Sequence, residues 1–445
     1  MTRPVNNRSL PTKSRRWFLQ TGMSAIGGLS LPQLLQLQKA CGSEISPLSD
    51  RKAVILFWLS GGPSQLDMWD PKPDAPSEIR GPYNTIQTSL PGVRLSEHLP
   101  LQASIADKLT FIRSVDCSAS NHTPITMQAG NPLARRTNDG KDGAGYPSMG
   151  SVAAKFRGAN DADLPPFVGL ADSWTSDVWE SGQMGSDFAP VKGAELKGKF
   201  AMPPGIDVTR LSERNSIRQQ LDQFGRKLKQ HQNLNRTDRF SQQAYDLVLS
   251  GKVQKAFNVD EESAETKAAY GQESIGKKTL LARRLVEAGV TFVLVSGAWG
   301  YFDHHGDNVR WGGIEKGLTP LLPRVDRTLF ALVNDLEQRG LLDSTLVMMM
   351  GEFGRSPVIN KQAGRDHWTP AMSMVMAGGD LKHGQVIGST DRRGGTITSS
   401  PVRPQDLAAT TFQHLGIDLN SHWVNRQGRP VPVVVEGGRP IPELA

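Results

Sequence analysis

The 445-residue chain carries a formal net charge of +7 and a pI near 9.3, but six of its basic residues (Arg3, Arg8, Lys13, Arg15, Arg16 and Lys39) lie in the first 45 positions against one acid, Glu44. That segment supplies +5 of the +7, so the remainder carries only about +2, too little for a global phosphate-binding surface, and no nucleic-acid partner is expected. Two cysteines, Cys41 and Cys117, exclude a disulfide framework and a cysteine-rich zinc site.

Residues 1–45 read as a targeting segment. Ser14-Arg15-Arg16-Trp17-Phe18-Leu19-Gln20 fits the twin-arginine pattern and a weakly apolar stretch, Thr21 to Leu37, follows it. The expected partner is the twin-arginine export machinery, and the expected location is the periplasm or cell envelope. No other stretch is long and apolar enough to span a bilayer, so membrane contact is expected only through this segment if it is left uncleaved.

Residues 46–440 then read as one α/β domain. Ala53 to Leu59 is a buried strand running into Ser60-Gly61-Gly62-Pro63-Ser64-Gln65-Leu66-Asp67, where the glycines permit a tight turn and close approach to a ligand. Asp67 is either a metal ligand or an ordinary turn residue. A second strand, Leu109 to Val115, delivers CSASNHTPITMQAG (117–130), with Ser120, His122 and Thr123 ahead of a helix. A hydroxyl there suits nucleophilic attack, although Ser and Thr are also common helix caps. Residues 131–205 read as loops with a helix at Pro147 to Arg157.

A helix-rich insertion spans about 206–290, marked by Leu211, Ile217, Leu221 and Phe224 at helical spacing and by a basic run, Arg226 to Arg239, that fits a solvated helix face. It closes with an amphipathic helix, Lys278 to Ala288. Val290 to Ser296 is a third strand, and its exit holds two imidazoles and two carboxylates in five residues, Asp303 to Asp307. A helix, Thr319 to Arg339, leads to the central strand Ser344 to Met350, which releases Glu352 and Arg355 and, after a loop, Asp366 and His367. A fifth strand, Met372 to Ala377, exits into Gly378 to Gly384, and Pro404 to Leu415 is a helix.

Strand and helix alternation predicts a parallel sheet flanked by helices, with the ligand crevice outside the carboxyl ends of the strands. Asp67, Asp303, His305, Glu352 and His367 are the candidate metal ligands. Mixed imidazole and carboxylate donors suit a divalent ion, zinc or manganese. With a cation present, Ser120 or Thr123 would attack a phosphoryl or sulfuryl centre, unless water does so directly. Arg355 would clamp the equatorial oxygens, or else pair with Glu352 or Asp366. Ser120, His122, Thr123 and Arg355 are thus the candidate catalytic residues.

GGPSQLDMWDPKP (61–73), the helix around Ala256-Phe257-Asn258, LLARRLVEAGVTFV (280–293), FDHHGDN (302–308), DLEQRGLLDSTLVMMMGEFGRSPVIN (335–360), GRDHW (364–368) and DLAATTFQHLGID (406–418) resemble an exported bacterial family, that of domain of unknown function 1501. The resemblance covers about residues 50–440. It implies an alkaline-phosphatase-like fold of the phosphatase and sulfatase superfamily, α/β with a large, mostly parallel sheet sandwiched between helices, and metal-dependent hydrolysis of phosphate or sulfate esters. By that resemblance Asp303 and His305 form an Asp-x-His ligand pair, Glu352 stands for a ligand aspartate, His367 is the late histidine, and Ser120 stands near the nucleophile position. Ser60-Gly61-Gly62 replaces the aspartate that usually follows the first strand, with Asp67 as its only compensation. No Cys/Ser-x-Pro-x-Arg motif is present, which argues against formylglycine chemistry. The expected substrate is a small anionic ester or a sulfated or phosphorylated polysaccharide. The alternatives are a non-catalytic envelope protein that keeps the fold to bind polysaccharide or a partner, and a metal-dependent transferase or isomerase.

Overall fold

A computed structural model describes residues 51–134, 142–172, 175–192, 252–297 and 301–445. The twin-arginine segment, the helical spacing from Leu211 to Phe224 and the basic run Arg226 to Arg239 lie outside the described residues.

Eight strands form one sheet: β1 (Ala53–Trp58), β2 (Leu109–Val115), β3 (Phe167–Leu170), β4 (Val191–Lys192), β5 (Phe292–Ser296), β6 (Thr345–Met350), β7 (Met372–Gly378) and β8 (Gln385–Ile387), in the order β8-β2-β7-β6-β1-β5-β3-β4. Every pairing is parallel except those of β7, which runs against both β2 and β6. The expected architecture is therefore present, a large and mostly parallel sheet between helices. β3 falls in the stretch read as loops; four residues behind Pro165-Pro166 give too short an apolar run to stand out.

Side chains on β1 alternate between two cores, as the pleat requires. Ile55 and Phe57 face the core that holds α3 (Ser274–Ala288) and α4 (Thr319–Gln338). Val54, Leu56 and Trp58 face the core that holds α1 (Ile125–Ala129), α2 (Met149–Phe156) and α5 (Pro404–His414). Both faces are therefore covered, which explains why β1 and β6 read as unbroken apolar runs. Within the stretch read as an insertion, the described part holds short helices at Lys252–Phe257 and Ala264–Tyr270 ahead of α3.

Register sets the functional edge. Trp58 lies opposite Ser296 and Met350, so β1, β5 and β6 release the chain at one level. β2 ends there too, with Val115 opposite Met372, the first residue of β7. The reversal of β7 sends its exit elsewhere. Its exit, Gly378 to Gly384, lies at the opposite edge, where the Gly384 N–H donates to Leu109 O at 2.9 Å at the start of β2. The approach to β7 is what reaches the functional edge, through a short ribbon of Gly354–Arg355 against His367–Trp368.

Candidate metal centre

Four loops leaving that edge supply the site. The loop after β1 turns at Gly61 and Gly62, with φ of 106° and 90°. A Cβ on Gly61 would stand 2.4 Å from Asp303 N, and one on Gly62 would stand 2.6 Å from the Phe353 ring, so only glycine lets these loops close on one another. The loop after β2 brings His122, that after β5 brings Asp303 and His305, and that after β6 brings Glu352 and, through the ribbon, His367.

Asp303 is the meeting point. Its Oδ1 lies 3.0 Å from His367 Nε2 and 3.1 Å from His305 Nε2, and its Oδ2 lies 3.6 Å from His122 Nε2. The Nε2 atoms of His305 and His367 are themselves 2.9 Å apart. His122 turns its other nitrogen to Glu352, with Nδ1 3.0 Å from Oε1, and the same oxygen accepts the Gly61 N–H at 2.8 Å. The Phe353 ring packs against His367 with centroids 4.4 Å apart. Thus the structure gathers Asp303, His305, Glu352 and His367 of the expected ligands, and His122 of the expected catalytic residues.

Asp67 has a different place. Both its carboxylate oxygens take the Arg365 guanidinium, at 2.7 and 3.1 Å, and Ser64 Oγ donates to it as well. This fully buried ion pair uses the acceptor capacity a metal would need, so Asp67 is corrected from ligand to strut. Arg355 is similarly consumed. It is 1% exposed and donates to Gly62 O, Arg365 O, Gly61 O, Phe302 O and Asp303 Oδ1, the last at 2.6 Å. It ties three loops and the key carboxylate together instead of facing a substrate, and its ion-pair partner is Asp303, not Glu352 or Asp366. The two hydroxyls also turn inward: Thr123 Oγ1 donates to Asn121 Oδ1 at 2.6 Å and Ser120 Oγ to Asn121 O at 3.4 Å.

Residues 51–445 match the family model described as Protein of unknown function (DUF1501). The chain belongs to this family. No curated protein matches the sequence. Solved structures similar to this DUF1501 chain include Ps i-CgsB in complex with k-i-k-neocarrahexaose, 11% identical over 83% of this chain and 72% of that one, TM-score 0.42. Phosphonate monoester hydrolase SpPMH from Silicibacter pomeroyi is 10% identical over 88% and 75%, TM-score 0.39. PsFucS1 sulfatase from Pseudoalteromonas sp. is 12% identical over 86% and 70%, TM-score 0.34. At such identities the likeness concerns the fold alone.

The electrostatics of the DUF1501 site follow from its packing. Burial pushes the Asp303 carboxyl up, but His122, His367 and Arg355 outweigh it and hold the group well below the usual carboxylate range. Asp303 and then Glu352 raise His122 to about 9 against burial. Burial lowers His367, with Asp303 opposing and the cations around it assisting. The cluster therefore answers its negative charge with a proton on His122.

A divalent ion fits the same place. His122, Asp303 and His367 each offer a donor atom within 4.8 Å of the others. In the overlapping set His305, His367 and Asp303, the edges of 2.9 to 3.1 Å approach the roughly 3.3 Å edge of a tetrahedron with zinc bonds of about 2.0–2.1 Å. Glu352 adds an independent sign: it is 2% exposed, and its Oε2 is buried without a hydrogen-bond partner. A bare buried carboxylate oxygen is costly, and a cation or a proton would relieve it.

Sequence reasoning missed the partners of the site. Arg365 stands in GRDHW beside the histidine, but nothing in the spacing says that it will reach Asp67. Asp177, 1% exposed, accepts hydrogen bonds from Ser60 Oγ at 2.9 Å and Ser296 Oγ at 2.7 Å at the ends of β1 and β5, and burial raises it to about 6. It comes from a stretch with no periodicity, so no signal pointed to it.

Proposed function

We propose that this DUF1501 chain is an exported, metal-dependent hydrolase of phosphate or sulfate esters. The observation that carries the reading is the convergence of three imidazoles on the Asp303 carboxylate at the carboxyl edge of a parallel sheet, beside the unpartnered oxygen of Glu352. When bound, zinc or manganese supplies Lewis acidity toward an ester oxygen and lowers the pKa of a hydroxyl. His122, His305, His367 and Asp303 are the residues that would hold it, with Glu352 orienting His122. Arg355 fixes Asp303 and leaves the binding of substrate oxygens to the rest of the site.

Ser120 and Thr123 are bonded within their own loop, so the reading takes solvent water as the attacking oxygen and keeps the two hydroxyls as candidates to be excluded. The same observation favours the rival reading, a non-catalytic envelope protein that binds a polysaccharide or a partner. Export rests on Arg15-Arg16 and the residues around them, and it implies a substrate met in the periplasm or envelope, a small anionic ester or a sulfated or phosphorylated polysaccharide.

Two measurements test the reading. Elemental analysis of protein purified without chelator should show near-stoichiometric zinc or manganese, lost in Glu352→Ala/His367→Ala. A screen of aryl phosphate, phosphodiester and sulfate esters with either metal added should then give turnover that Ser120→Ala and Thr123→Ala retain and His305→Ala loses. Bound metal with no turnover on any ester would favour the binding protein, and absence of metal after reconstitution would sink the hydrolase.

A further inference from the structure

His122 and His305 both turn Nε2 toward Asp303 but are held from behind differently. Behind His122 stands Glu352, whose side chain is 3% exposed. Behind His305 stands Asp366, whose Oδ1 is 3.5 Å from Nδ1 and whose side chain is 66% exposed. An exposed carboxylate ordinarily samples many rotamers, and fixing one costs entropy. Here the cost is met by the loop itself. Asn360 Nδ2 donates both to Asp366 Oδ1 at 3.1 Å and to His305 O at 2.8 Å, so a single amide spans the pair. The amide is fixed in turn, because Asn360 Oδ1 accepts from Gln362 N at 2.9 Å and Gly364 N at 3.1 Å. The Asp366 backbone is pinned on both sides by Ser356, its N–H donating to Oγ at 3.0 Å and its carbonyl accepting the Ser356 N–H at 2.8 Å.

We propose that Asp366, set by Asn360, is a positioning residue that turns the His305 ring so that Nε2 faces Asp303 and the metal; the inference rests on the metal-centre reading above. A carboxylate on the far nitrogen of a ligand imidazole fixes the ring and strengthens the donor nitrogen, and losing such a partner costs about 10- to 100-fold in metal affinity. The exposure of Asp366 puts it at the low end of that range and makes its effect sensitive to salt.

The test is zinc affinity, measured on the full chain by competition with a chromophoric chelator, for the wild type and Asp366→Asn at low and high ionic strength. Asp366→Asn is expected to bind zinc about tenfold more weakly at low salt. The gap should narrow at high salt, and the unfolding midpoint of the metal-free protein should stay that of the wild type. Asn360→Ala, which removes the strut and leaves the charge, should weaken binding in the same direction. Wild-type affinity in Asp366→Asn at low salt, or a loss that salt does not change, overturns the proposal and leaves the metal centre standing. A wild-type protein that binds neither zinc nor manganese overturns both.

Discussion

Two of the places where the described residues bury charge use different kinds of cation. Between α3 and α4, the fully buried Arg283 lies within ion-pair distance of Glu262, Glu287 and Asp335, at 2.8, 2.6 and 2.8 Å. Arg284 and Arg339 share those acids from the rim. At the sheet edge, Asp303 and Glu352 meet Arg355 and three imidazoles. Guanidinium charge is permanent, so the first cluster has one state and can only hold helices together. Imidazole charge is conditional, so the second cluster can change its charge without rebuilding its frame. Burial and charge alone do not separate structure from function here; the kind of cation does.

That contrast can be broken most directly at His367. His367→Ala should lower zinc affinity by about 100-fold or more, read by chelator competition, while the metal-free protein keeps its unfolding free energy to within about 1 kcal/mol. Arg283→Ala should do the reverse: about 3 kcal/mol lost in urea unfolding, because buried carboxylates lose their cation, with zinc affinity unchanged. An Arg283→Ala protein that folds normally but binds no zinc would show that the two clusters are one system.

The pH dependence sharpens the difference. His122 is raised to about 9 in the metal-free protein. Its stabilisation is fully present below the unfolded value near 6.5 and is lost as pH rises through 9, at most about 3 kcal/mol in all. Urea midpoints from pH 6 to 10 should fall more steeply for the wild type than for His122→Gln. Asp177, raised to about 6 by burial, has the same sign in a lower window, present below about 4 and lost as pH rises through 6, so the two are separable. The smallest effect belongs to Arg339, whose side chain is 32% exposed. Arg339→Gln should cost less than about 1 kcal/mol in the same urea assay, and less still in high salt.

The frame was legible in the sequence because β1, β2, β5 and β6 are apolar runs that end in glycine or polar clusters, and those ends carry His122, Asp303, His305 and Glu352. The direction of β7 was not legible, since an apolar run such as Met372 to Ala377 reads the same in either sense; only its pairing with β2 and β6 reveals it. Asp67 shows the limit at the site. Its position after β1 fits a ligand, and only the reach of Arg365 across 298 residues of sequence makes it a strut. Arg355 was open between two roles for the same reason, because apart from Asp303 the acceptors that consume it are backbone carbonyls, which no residue type announces.

The reversed strand also bears on the order in which the site is assembled. Residues 351–371 leave β6 and return to its neighbour β7, so Glu352, Arg355 and His367 meet by closing one short loop, whereas His122 and Asp303 must arrive from distant parts of the chain. Short closures carry the smaller entropy cost and tend to form sooner. Pulse-labelled amide exchange during refolding should therefore protect the paired stretch Val375 to Ala377 before β1 and β5, and competence to bind metal should appear only with the later phase. The ion would then report completion of the fold rather than initiate it.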